Sequence, residues 1–123
     1  MRRRVLLAAV LLLAIRVAGA EDSSHNPKLT GRWSYRGADA TATLTLSADG
    51  TWSATVAPAG KPAVRFEGKW LSDEHYIYWL YTKSSTPNVK TGTQDRDELV
   101  EIARDHFKLR TRSNAMHTYV RVR

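Results

Sequence analysis

Cysteine is absent from this 123-residue chain. Its absence removes a disulfide framework, a thiolate metal site, and any cysteine that could carry a lipid at a processing point. Histidine supplies no substitute: His25, His75, His106 and His117 are scattered, with no pair at metal-ligand spacing, so neither a metal nor a cofactor is expected. Asn26, Asn88 and Asn114 are followed by Pro27-Lys28, Val89-Lys90 and Ala115-Met116, so no glycosylation acceptor occurs. Catalytic motifs are lacking as well. Asp73-Glu74-His75 are adjacent residues whose side chains diverge on a strand or in a turn, and Asp95-Arg96-Asp97-Glu98 lacks the glycine and ligand pattern of a calcium loop. The latter reads as a solvated loop and strand start, and the chain is not expected to be an enzyme.

What is present begins with Arg2, Arg3 and Arg4, an apolar run from Val5 to Ile15, and Ala18-Gly19-Ala20 ahead of Glu21-Asp22. These are the three parts of a secretory signal peptide over residues 1–20. The apolar run is shorter than the roughly 20 residues a bilayer span needs, so no stable membrane anchor is expected after cleavage. Arg16, which interrupts the run, leaves an uncleaved anchor as the alternative. Removing residues 1–20 leaves 103 residues, one small domain that is exported and periplasmic or extracellular. The headline charge of +7 falls with it: 15 basic against 12 acidic residues remain, a balance of +3. That is a weak case for nucleic acid, which export also disfavours.

Residues 21–27 read as a flexible lead-in ending at Pro27. From Lys28 to Tyr35 a first strand alternates Leu29, Gly31, Trp33 and Tyr35 with Thr30, Arg32 and Ser34. Gly37 to Asp39 turns it into a second strand, Ala40 to Ser47. Asp49-Gly50 tolerates positive φ and leads to a third, Thr51 to Val56. After the Pro- and Gly-bearing loop 57–63, Val64, Phe66, Gly68 and Trp70 alternate with Arg65, Glu67 and Lys69, so the apolar set faces inward. Ser72 to His75 is the next turn. The following strand, His75 to Thr82, has large residues on both faces, Tyr76, Tyr78 and Leu80 against Ile77, Trp79 and Tyr81.

Residues 83–96 are polar and read as the longest loop. Residues 97–103 fit helical spacing as well as strand spacing, and strand is preferred because Arg104-Asp105 looks like a turn. Phe107, Leu109 and Thr111 then alternate with His106, Lys108, Arg110 and Arg112. Met116 to Arg123 closes the chain. Eight strands joined by short turns predict an all-β, up-and-down antiparallel meander, which closes most simply into a barrel over residues 28–123 that leaves no edge exposed.

Gly31-x-Trp33 on the first strand, the eight-strand meander and the basic end Tyr119-Val120-Arg121-Val122-Arg123 resemble the lipocalin-like superfamily, especially its small exported bacterial members. Avidin-like barrels also begin with Gly-x-Trp, but their polar ligand contacts have no specific match here. The lipocalin resemblance implies a tryptophan that plugs the barrel base and an arginine packed over its ring, roles that fall to Trp33 and Arg121.

An eight-strand barrel is either just filled by its side chains or holds one small ligand. If hollow, alternation has Trp52, Phe66, Trp70 and Phe107 lining it, and Tyr78 joins them as a grip on a small apolar or amphipathic ligand. The leading expectation is a non-catalytic binding protein of this kind. The alternative is a protein-interaction module, such as a periplasmic inhibitor or envelope accessory, with a filled core. Its candidate surface comprises Trp79, Tyr81, the 83–96 loop and a basic face of His106, Lys108, Arg110 and Arg112 that Arg121 and Arg123 extend. A protein partner is expected in that case.

Overall fold

Alternation decides which side chains a strand buries, and the turns decide how strands follow one another. In the computed structural model, which describes residues 24–123, the strands are β1 (Gly31–Arg36), β2 (Ala40–Leu46), β3 (Thr51–Pro58), β4 (Val64–Ser72), β5 (Tyr76–Ser84), β6 (Gln94–Ile102), β7 (His106–Arg110) and β8 (Met116–Arg121). Each pairs antiparallel with the next, and β8 pairs with β1, so the meander closes into a barrel with no free edge. The signal peptide read at 1–20 and the first three residues of the lead-in lie outside the described residues. Among the described residues no helix is long and apolar enough to cross a membrane.

Two turns at one end are held by aspartates. Between β2 and β3, Asp49 accepts hydrogen bonds from the Thr51 amide at 3.0 Å and hydroxyl at 2.7 Å, beside Gly50 at φ 90°. Between β4 and β5, Asp73 accepts from the amides of His75 at 2.7 Å and Tyr76 at 2.8 Å, and from the Tyr78 hydroxyl at 2.8 Å. These bonds, the His75 amide first, hold its carboxyl below the ordinary range. Asp73 is thus engaged in shaping the turn and orienting an outward tyrosine.

The same end carries a plug. Lys28 and Leu29, expected to open the first strand, instead form a 3-10 turn with Pro27, because Pro27 donates no hydrogen bond and Asn26 caps the turn by accepting from the Lys28 amide at 2.9 Å. Leu29 is fully buried, and its carbonyl accepts the Trp33 indole N–H at 2.9 Å. The lead-in, expected to be flexible, is tied down in its described part. His25 Nε2 donates to the Trp70 carbonyl at 2.8 Å, and the buried Ser72 hydroxyl accepts from the Asn26 amide at 3.1 Å. The plug turns an open barrel end into a closed base.

Strand limits differ from expectation at the longest loop. β5 runs on to Ser84 and β6 begins at Gln94, so the connection spans 85–93 and not 83–96. The polar residues 94–96 belong to the ladder because their pairing to Tyr78, Trp79 and Leu80 satisfies backbone groups whatever their side chains.

Candidate functional site

Side chains filling a barrel differ in size from level to level, and the site lies where they stop filling it. Near the base Trp33, Trp70, Ile77, Phe107 and Leu109 are almost completely buried, with the Trp33 and Phe107 rings edge to face at 4.6 Å. Toward the opposite end the small Ala42 and Ala54 face large aromatic residues, and a cavity of about 120 Å³ remains. Trp52, Phe66, Trp79, Tyr81, Tyr119 and Asp97 line it, together with aliphatic residues of β2 and β3. The barrel is therefore neither fully filled nor widely hollow.

Trp52 and Phe66, expected to line an interior, do so. Trp70 and Phe107 also point inward, yet they belong to the packed floor and not to the cavity wall. Tyr78 is corrected: it lies on the outer wall, bonded to Asp73. Trp79 and Tyr81, expected as an outer interaction surface, face inward and form the cavity wall. The register explains the exchange. Ile77 pairs with Ser72 and Trp79 with Trp70, so each shares the inward face of its β4 partner, which leaves Tyr76, Tyr78 and Leu80 outside.

The aromatic wall is continuous. Trp52 meets Trp79 at 5.1 Å and Tyr81 at 5.0 Å, and Tyr81 meets Phe66 at 5.4 Å, all in T-shaped contacts. Every indole N–H in the barrel has an acceptor. Trp33 uses Leu29, Trp70 donates to the Ser47 carbonyl at 3.0 Å, and Trp52 donates to the Leu80 carbonyl at 3.2 Å. Trp79 alone donates to a side chain, Asp97 Oδ2 at 2.9 Å. Sequence reading missed Asp97 and Tyr119 as lining residues. The alternation Asp95, Asp97, Leu99 against Gln94, Arg96, Glu98 was the available signal, visible once β6 is extended back to Gln94.

Burial raises the Asp97 carboxyl above its usual range, against a lowering contribution from the Trp79 hydrogen bond. Burial likewise pushes the Tyr81 phenol up to about 12, with Asp95 and Asp97 adding to the effect, and raises Tyr119. Both phenols are protonated at neutral pH.

The basic face of β7 is compensated by carboxylates on β6. Arg110 pairs with Glu98 at 3.0 Å, Lys108 lies 4.0 Å from Glu101, and His106 is bonded to both Glu101 and Asp105. Arg112, beyond the strand, pairs with Asp95 at 2.8 Å. Arg121 does not extend this face, because its guanidinium sits over the Trp33 ring, 4.2 Å from the centroid. The expected positive surface is thus a ladder of ion pairs.

His106 gives that ladder a pH dependence. Its bonds to Glu101 and then Asp105 raise its pKa above the ordinary 6.5, and they lower the pKa values of both carboxylates. For the imidazole, the stabilisation is complete below the unfolded value and is lost as pH rises through the raised folded value. For the carboxylates it is present above their unfolded values and lost as pH falls through the depressed ones. Thermal melts should therefore show a decline as pH rises above the ordinary imidazole value of 6.5 that His106→Gln flattens. Equal slopes for both proteins over that window would refute the linkage.

A larger hollow of about 440 Å³ lies on the outer wall, where Lys69, Leu71, Tyr78 and Leu80 project beside His25 and Asp49. It is a groove between outward side chains of β4 and β5, whereas the smaller interior cavity is where aromatic rings and a carboxylate converge. Comparisons with family models, curated proteins and solved structures give no match for this chain, so interpretation rests on that geometry.

Proposed function

We propose that this chain is an exported, non-catalytic binding protein of lipocalin-like type that holds one small apolar or amphipathic molecule in the upper half of its barrel. The observation that carries the reading is the aromatic cavity of about 120 Å³ above a close-packed floor. Interiors normally leave few voids larger than a water molecule. This space opens to solvent and leaves aromatic faces in contact with water that a guest would displace, so its retention in a small disulfide-free domain favours a use. Volume also sets the scale of the guest. A cavity of about 150 Å³ accommodates benzene, so a ring of about six heavy atoms already fills this one; a guest of about six to eight heavy atoms leaves a short substituent in the open mouth, and a lipid chain does not fit.

The alternative, a protein-interaction module, loses Trp79 and Tyr81 to the interior. What favours it now is the outer groove, where Leu71 is 51% exposed. The interior reading accounts for the converging aromatic residues and is preferred.

Native mass spectrometry of the protein purified from its own host tests the choice, followed by ligand-observed NMR with benzyl alcohol. A small adduct lost on denaturation, or saturable benzyl alcohol binding, is expected for the natural chain. Both should disappear in Ala54→Phe, which fills the cavity, while a cooperative melt is kept. A clean apo mass together with no benzyl alcohol binding would overturn the reading.

A further inference from the structure

The cavity's chemistry narrows the guest further, an inference that rests on the binding reading above. The aromatic wall formed by Trp52, Phe66, Trp79, Tyr81 and Tyr119 holds one carboxyl group, Asp97. One of its oxygens accepts from the Trp79 indole; the other accepts no hydrogen bond among the described residues. The cations closest to hand are committed or peripheral. Arg112 is bonded to Asp95 at 2.8 Å, and the His117 ring lies against Tyr35 at 4.6 Å. A neutral apolar guest would leave the carboxylate desolvated and unpaired, and an anionic guest would be repelled. A cation would gain both an ion pair and the electron-rich faces of the rings.

We infer that the preferred ligand is a small organic monocation, an aliphatic or aromatic amine of about six to eight heavy atoms, whose ammonium group pairs with Asp97 inside the aromatic wall. In such a complex the apolar part of the guest occupies the space bounded by Ala54 and Phe66, and the ammonium lies at the carboxylate oxygen that Trp79 does not use. Trp79, bonded to the same carboxylate, fixes its orientation.

Three guests of similar shape and different charge test this: benzylamine, benzyl alcohol and benzoate, titrated by calorimetry near neutral pH and low salt. Benzylamine should bind at least about tenfold more tightly than benzyl alcohol, with benzoate weakest. Asp97→Asn, which keeps an acceptor for the Trp79 N–H, should bring the first two within about twofold of each other. Raising the salt should weaken benzylamine binding and leave benzyl alcohol binding nearly constant, a readout that needs no variant. Benzyl alcohol binding as well as or better than benzylamine would overturn the inference and leave the binding reading standing. So would a charge preference that Asp97→Asn or salt does not alter. If none of the three guests binds, the inference is overturned, and the binding reading falls with it when the apo mass is clean as well.

Discussion

Replacing Arg121 by methionine should lower the thermal midpoint by on the order of 15 °C. The guanidinium uses all its nitrogens at once. Nε donates to the Arg104 carbonyl at 2.8 Å, one terminal nitrogen to Thr30 at 3.0 Å and the other to Lys28 at 3.1 Å, while the plane covers the Trp33 ring. It thereby ties the β6–β7 turn and the N-terminal plug to the end of β8. Each charged hydrogen bond contributes about 1.5 kcal/mol and the cation over the indole about 1 kcal/mol; partial exposure reduces the sum to about 3 kcal/mol. Methionine keeps comparable length and apolar contact, so the loss reports the polar bonds. Lysine should recover less than half, because a single ammonium cannot reach three carbonyls on different segments. A Met variant melting within a few degrees of the natural chain would show the base closes without this staple.

The same contact accounts for Gly31-x-Trp33. A β-carbon on Gly31 would lie 2.5 Å from an Arg121 terminal nitrogen, and the residue sits at φ 132°, which side-chain-bearing residues rarely adopt. Glycine there admits the arginine, and the arginine covers the tryptophan.

The meander and its closure were legible because period-2 alternation is strong in β2, β3, β4 and β7, and because Asp49-Gly50 marks a turn by its own chemistry. The facing of β5 was not. Its residues are large on both sides, so local pattern is silent, and only the pairing carried through the Asp73 turn decides it. Chemistry offered a hint: Tyr76 and Tyr78 carry hydroxyls that suit an outer wall, while Ile77 and the Trp79 indole suit an interior that supplies an acceptor. Asp97 escaped notice for a related reason. A carboxylate in a polar stretch reads as solvated until the strand is known to begin at Gln94, which pairs it with Ile77 and turns it into the cavity wall. The docked lead-in was unreadable because Ser24, His25 and Asn26 each bond to Trp70 or Ser72, far along the chain, and no local periodicity encodes that.

Gly68→Ala should be as damaging as the arginine change, by a steric and not a polar route. Gly68 is buried in β4 opposite Tyr81, at the register shift between β4 and β5. A β-carbon there would overlap the Leu80 carbonyl oxygen and lie 2.7 Å from Trp52 Nε1, the indole nitrogen that donates to that same carbonyl. No rotamer change relieves a clash with backbone, so the two strands must separate or the shift must move, at a cost of about 3 kcal/mol and a midpoint lowered by about 15 °C. Trp52→Phe removes the indole nitrogen from the clash but not the carbonyl, so the double variant should stay well below Trp52→Phe alone. A Gly68→Ala protein melting within a few degrees of the natural chain would overturn this account of the shift. The position also couples stability to binding. Trp52 and Tyr81 are both walls of the cavity and both touch this point, so Gly68→Ala protein that remains folded at low temperature should lose affinity for benzyl alcohol even though no wall residue has been replaced.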